Sequence, residues 1–191
     1  MNLAPRQDLA GRRILLIGIG FYDYEHSIAT RLRERGAELV VFQDQPPELQ
    51  SSVRRLFQRA PDAVLTRHEQ RILDAAHSPF DQVLVIKAIG LRLPFLKTLR
   101  ERLPQSEFIL YQWDSLARLE GIEERLPLFN RVLTFDRQDS QVRPEIAFRP
   151  LFFREAPNPH KTVRPDIDVA FVGWLHSDRL KSVRRMPAHA K

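Results

Sequence analysis

Short apolar runs alternate with amphipathic stretches along most of this chain, and the alternation predicts strands separated by helices. Arg12-Arg-Ile-Leu-Leu-Ile-Gly18 is apolar without a break, as expected of a strand buried on both faces of a parallel sheet. A helix follows in which Tyr24, Ile28 and Leu32 share one face, Arg31, Arg33 and Arg35 lie elsewhere, and Gly36 stands at the C′ position. Glu38–Phe42 reads as the second strand, closed by the turn Gln45-Pro-Pro47. Ser51 or Ser52 would cap a further helix with Val53, Leu56 and Phe57 apolar; Pro61-Asp62 interrupts it, and another helix runs through Ile72, Leu73 and Ala76. Phe80–Ile86 and Glu107–Tyr111 read as strands on either side of a helix that Pro94 opens and Pro104 ends, with Phe95, Leu96, Leu99 and Leu103 as its core stripe. Arg131–Phe135 is a fifth strand, Asp136–Val142 a short helix and Ile146–Phe152 a last strand. The fold class this order predicts is α/β, a doubly wound, mostly parallel Rossmann-like sheet.

The pattern changes after residue 153. Residues 154–165 are rich in Pro, Asn, Lys and His and read as a linker between a first domain, 1–153, and a segment 166–191. That segment opens like a second α/β domain: Val169–Val172 is β-rich, Gly173 breaks the run, and His176-Ser-Asp-Arg179 carries helix-start chemistry followed by basic residues. Leu180–Lys191 has almost no apolar content, so the expectation is the truncated beginning of a domain.

With 191 residues of which 43% are apolar, the chain has ample material for a packed core. It holds no cysteine, which excludes disulfides, thiolate metal sites and a cysteine nucleophile. No apolar run approaches the ~20 residues that span a bilayer, and the polar N-terminus lacks a signal core, so a soluble, cytoplasmic protein is expected. The net charge of +6 suits anionic partners in general. The arginines are spread over helix faces without a basic block interleaved with aromatics, so nucleic acid is not expected as a partner.

Candidate chemistry collects after the strands. Gly18-Ile-Gly20-Phe-Tyr-Asp23 has two glycines of a dinucleotide fingerprint but Asp23 at the third position, where its charge would repel a pyrophosphate. A tight strand-to-helix turn is the plainer reading, and Asp44 after the second strand keeps a nicotinamide or methyl-donor reading open. Tyr111-Gln-Trp-Asp-Ser115 puts Trp113, Asp114 and Ser115 on a loop at the sheet's carboxyl edge, where Trp113 would stack on a sugar ring and Asp114 would accept a hydroxyl proton. The structural alternative is that Asp114 caps the next helix and Trp113 packs on the sheet. Thr134-Phe-Asp-Arg-Gln-Asp139 repeats the arrangement, with Asp136 and Arg137 read either as binding residues or as a helix cap and a solvated base. Lys87 ends a core strand as a cation able to meet a phosphate or pair with Asp114, and a simple surface lysine is the plainer reading. The histidines form no metal-ligand spacing, and no metal is expected.

Several of these stretches together, Ile14-Leu-Leu-Ile-Gly18 with Phe21, Tyr22, Tyr24 and Glu25, Val85-Ile-Lys87, Ile109–Ser115, Val132–Arg137 with Asp139, Pro150–Phe153, and Asp168–Gly173 with His176–Arg179, resemble bacterial lipopolysaccharide and capsule biosynthesis proteins of glycosyltransferase type, including relatives of the spore-maturation CgeB group. The resemblance implies a GT-B arrangement of two facing Rossmann-like domains, the first holding the acceptor and the second the nucleotide-sugar donor. It implies a transferase without metal or cofactor, acting on a saccharide or lipid-linked saccharide, cytoplasmic with room for peripheral contact at the inner membrane surface. By that resemblance Gly173, His176 and Arg179 are donor-side candidates; Gly18, Gly20, Lys87, Trp113, Ser115, Asp136 and Arg137 belong to the acceptor side; and Asp114, then Asp23, is the candidate base. With its second domain only begun, the chain is expected to be incomplete as an enzyme. A noncatalytic module that binds a nucleotide or an anionic sugar through the glycine turn and Lys87 is the alternative.

Overall fold

A computed structural model describes residues 7–20, 23–46, 62–152 and 179–185. The helix expected from Ser51 or Ser52, and the strand Val169–Val172, lie outside the described residues. The chain divides into two units, Met1–Phe153 and Arg154–Lys191.

Among its described residues the first unit is an α/β fold built on six strands, β1 (Arg13–Gly18), β2 (Glu38–Gln43), β3 (Gln82–Ile86), β4 (Glu107–Gln112), β5 (Arg131–Thr134) and β6 (Ala147–Phe148). They lie in the order β2-β1-β3-β4-β5-β6, and every adjacent pair is parallel. Helices α1 (Tyr24–Glu34), α2 (Asp62–Ala75), α3 (Leu93–Arg102) and α4 (Arg137–Val142) join them. The described element of the second unit is α5 (Arg179–Arg184).

The apolar runs of β1, β3 and β4 are continuous because both faces of these strands are covered. Leu15, Ile17, Val83, Val85, Phe108 and Leu110 pack with Ile72, Leu73, Phe95, Leu96 and Leu99 of α2 and α3. Leu16, Ile86 and Tyr111 face the other way, toward Ala29 and Ile28 of α1. The path from β1 to β2 runs outward and the path from β2 to β3 runs back across β1. Right-handed crossovers then force α1 and α2 onto opposite faces. The reversal leaves a crevice at the carboxyl ends of β1 and β3, where open α/β sheets take ligands.

Local signals hold at most boundaries. Pro94 sits in the first turn of α3, whose Phe95, Leu96 and Leu99 are buried, and Gly36 has φ +94° just past α1. Asp136 caps α4, its carboxylate accepting from the Gln138 amide at 2.8 Å. One expectation is corrected. The strand expected over Ile146–Phe152 shortens to Ala147–Phe148, because Tyr111 Oη donates to the Pro150 carbonyl at 2.7 Å and the chain leaves the sheet there. On α1 Glu25 and Ala29 are buried, with Tyr24, Ile28 and Leu32 half-buried and Ile28 packed against the core.

Candidate functional site

At the carboxyl edge of the sheet a cleft of about 310 Å³ is lined by Ile19, Tyr24, Lys87, Trp113, Asp114, Leu151 and Phe152. Its walls are aromatic. Trp113 meets Tyr24, Tyr111 and Phe152 edge-on, at ring-centroid distances of 5.8, 5.9 and 6.0 Å, and Tyr24 meets Phe152 at 5.7 Å. Trp113 Nε1 is buried and has no hydrogen-bond partner. Leu151 and Phe152 stay exposed at the rim, 49% and 38%. The apolar pattern assigns both to a strand, and only the departure of the chain from β6 makes them a wall.

Lys87 and Asp114 form the polar side of the cleft. The Lys87 ammonium pairs with Asp114 Oδ2, and the Asp114 side chain is 45% exposed, so its carboxylate remains open to a ligand. Asp114 is therefore not a helix cap; the 3₁₀ turn Leu116–Arg118 begins from Ser115, which makes no side-chain cap bond.

The backbone that presents Lys87 is held in a costly conformation. Lys87 has φ +66° and Ala88 φ +57°, and the Ala88 amide reaches back to the Ile86 carbonyl at 2.9 Å, a three-residue turn with a non-glycine residue at its centre. Surrounding groups restrain it. Gln112 Nε2 donates to the Lys87 carbonyl at 2.8 Å, Arg125 donates to the Leu91 carbonyl at 3.3 Å, and Arg92 binds Glu69 through its Nε at 2.9 and 3.0 Å and Thr66 at 2.9 Å. The Gly90 amide donates to Asp44. Gln112 is fully buried, and its Oε1 has no partner.

The glycine turn is filled from within. A Cβ on Gly18 would lie 1.9 Å from Glu25 Cγ, and Glu25 Oε1 accepts from the Ile19 amide at 2.6 Å. Glycine at position 18 thus makes room for a side chain of α1. Gly20, with φ +64°, turns the chain toward α1, and Asp23, exposed at φ +56°, heads that helix without a side-chain cap bond. Asp44 takes a similar internal place: a Cβ on Gly90 would fall 2.1 Å from Asp44 Oδ2, and the Asp44 amide donates to the Gly18 carbonyl at 2.6 Å. Burial pushes the Asp44 carboxyl up to about 6; the Gly90 amide opposes this, the Glu25 carboxylate adds to it, and Lys87 and the Gln45 amide oppose it more weakly.

Of the remaining candidates, Ser115 donates to Asp139 Oδ1 at 3.3 Å, while Asp139 Oδ2 accepts from the Leu116 amide at 3.0 Å and from Thr134 Oγ1 at 2.9 Å. This buried carboxylate ties the loop after β4 to the loop after β5. Asp136 is spent on its cap, and the Arg137 guanidinium lies 4.3 Å from the ring centre of Phe148. The structure therefore brings Lys87, Trp113 and Asp114 to one cleft and leaves Asp23, Ser115, Asp136 and Arg137 off its lining. Gly173 and His176 lie outside the described residues, and Arg179 opens α5 in the second unit.

No protein-family model matches the chain, and no curated protein matches it.

Among the described residues no group of His, Asp and Glu could hold a metal ion, and no helix is long and apolar enough to cross a membrane. Ile19, Tyr24, Leu151 and Phe152 line the cleft without having been candidate site residues, although Tyr24, Leu151 and Phe152 stand in the stretches that carry the family resemblance. An aromatic at the first position of α1, facing the carboxyl edge, was the available signal for Tyr24.

Proposed function

We propose that the first unit is the saccharide-acceptor half of a glycosyltransferase of bacterial surface polysaccharide biosynthesis, with the acceptor sugar seated in the cleft between Tyr24, Trp113 and Phe152. The observation that carries this reading is the open Asp114 carboxylate, paired with Lys87, set beside an aromatic wall at the carboxyl edge of the sheet. Aromatic side chains cover the apolar C–H faces of a sugar, and a carboxylate accepts from its hydroxyls.

In the reaction Asp114 takes the proton of the acceptor hydroxyl as the hydroxyl oxygen attacks the anomeric carbon of a nucleotide-sugar donor. The new glycosidic C–O bond forms while the bond from that carbon to the diphosphate oxygen breaks, and the nucleoside diphosphate leaves with the electron pair. Lys87 orients Asp114 before proton transfer. The pinned turn at Lys87–Ala88 supports this role, since strained backbone is kept where a side chain must be held in place.

The alternative module, in which the glycine turn and Lys87 hold a nucleotide or an anionic sugar, is less well supported. Glu25 occupies the Ile19 amide that such a turn would offer a phosphate, and Lys87 is already paired. A donor-turnover assay with saccharide acceptors separates the two. The transferase reading expects nucleoside diphosphate release that depends on acceptor and is lost in Asp114→Ala. Saccharide binding with no turnover, in a protein that retains its fold, favours the module.

A further inference from the structure

Lys87 lies on the opposite side of the sheet from the one its place in the chain would give it. Side chains along β3 alternate: Val83 and Val85 pack with α2 and α3, while Leu84 and Ile86 pack in the cluster on the α1 side. Continued by one residue, that alternation would send Lys87 to the side of Val85. Lys87 instead lines the cleft with Tyr24 of α1 and with Ile19 and Trp113 of the α1-side cluster, and Ala88 enters the cluster that holds Val85. The left-handed backbone of Lys87, φ +66°, makes this change of face, because it takes the chain out of the extended geometry in which alternation persists.

The end of β4 grips this residue at both of its backbone groups. The Lys87 amide donates to the Tyr111 carbonyl at 3.1 Å, and the Lys87 carbonyl accepts from Gln112 Nε2 at 2.8 Å. Gln112 follows Phe108 and Leu110 on one face of β4, both in the apolar core, and is itself fully buried. A leucine would suit that face and leave no polar atom to satisfy. An amide stands there although its Oε1 has no hydrogen-bond partner among the described residues, so the bond to Lys87 is what its burial secures.

We propose that Gln112 is the positioning residue of the Lys87–Asp114 pair: by holding the Lys87 carbonyl it keeps the left-handed turn that carries the ammonium into the cleft and onto Asp114. The proposal deepens the function proposed above and rests on it only for the use of the pair on a saccharide. Without the Gln112 amide nothing holds the Lys87 carbonyl, and Lys87 relaxes toward the extended backbone that a non-glycine residue prefers, with its side chain turned away from the cleft. Gln112 thus acts through Lys87 and is not itself part of the cleft lining.

The test uses the full chain and the Cε–H NMR signal of Lys87, assigned by its loss in Lys87→Arg. Asp114→Asn is expected to move that signal, and in a Gln112→Met background the same change should move it by less than roughly a third as much. The exposed Lys97 should keep its position throughout. An equal Lys87 response with and without Gln112 overturns the proposal, as does the absence of any response in the parent protein. A second readout needs no change at position 112: the Gln112 side-chain amide should exchange with solvent at least about tenfold more slowly than that of the exposed Gln138. Equal rates overturn the proposal even where Gln112→Met does not fold. Methyl glucoside, galactoside and mannoside are then titrated against the indole N–H signal of Trp113, where Gln112→Met should weaken binding at least roughly threefold, as Lys87→Met does. Loss of the Lys87 response with no Trp113 response to any glycoside supports the positioning role and overturns the saccharide reading.

Discussion

Gly18 and Glu25 occupy one another's space: the three atoms nearest to a Cβ built on Gly18 all belong to Glu25, the closest at 1.9 Å. Gly18 shares its sheet face with Leu16, so its missing side chain points toward α1, and the first turn of that helix delivers Glu25 to the Ile19 amide. A glycine that reads in sequence as part of a tight strand-to-helix turn is, in the folded chain, the seat of an internal carboxylate.

Gly18→Ala is expected to destabilise the fold by roughly 2 kcal/mol or more, as overpacking of a closed site does. In a Glu25→Ala background the same change should cost less than about 1 kcal/mol, because the clashing atoms are gone. Urea denaturation of the four members of this cycle measures the coupling. Simple additivity would count against the Gly18–Glu25 contact.

Asp44 governs a pH dependence. Its carboxyl is raised from the ordinary 3.8 to about 6, so between these values the folded protein holds a proton that the unfolded chain has lost. Stability from this group therefore falls as pH rises from about 4 to about 6, and the penalty is complete above that. Asp44→Asn should remove the slope in that window and stabilise the protein at pH 7 by on the order of 1–2 kcal/mol. Thermal melts of both proteins between pH 4 and 8 check it; parallel curves would contradict the assignment.

Position 87 separates backbone strain from side-chain chemistry. With φ at +66°, Lys87→Gly should be more stable than Lys87→Ala by about 1 kcal/mol, since glycine alone adopts this region without penalty. Both variants lose the ion pair to Asp114, and on the proposed function both should lose turnover alike. Equal stability of the two would mean that the turn relaxes when the lysine is removed.

Asp139→Ala leaves the Leu116 amide and Thr134 hydroxyl without their acceptor in a buried place. A loss of about 2–4 kcal/mol is expected, measured by denaturant titration. Hydrogen exchange should quicken in both residues 113–118 and 134–140, because Asp139 is the tie between those loops. Exchange confined to α4 would argue against that tie.

The sequence by itself determined the kinds of element, their order and most of their limits. Continuous apolar runs at Ile14–Ile17, Val83–Ile86 and Phe108–Tyr111 specify strands covered on both faces, and Pro94, Gly36 and Asp136 mark helix ends through backbone chemistry that acts over a few residues. It also drew attention to Lys87, Trp113 and Asp114, because loops after buried strands gather at one edge. Only the tertiary structure decided what each of these side chains meets. The pairing of Lys87 with Asp114 follows from β3 lying beside β4, with Ile86 in register with Tyr111. Glu25 in the space of Gly18, Asp44 against Gly90, and Phe152 against Trp113 all depend on how helices and loops cross the sheet. Local periodicity reports which face of a segment is buried; it carries no information about which distant residue completes the contact, and the chemistry of this cleft consists of such contacts.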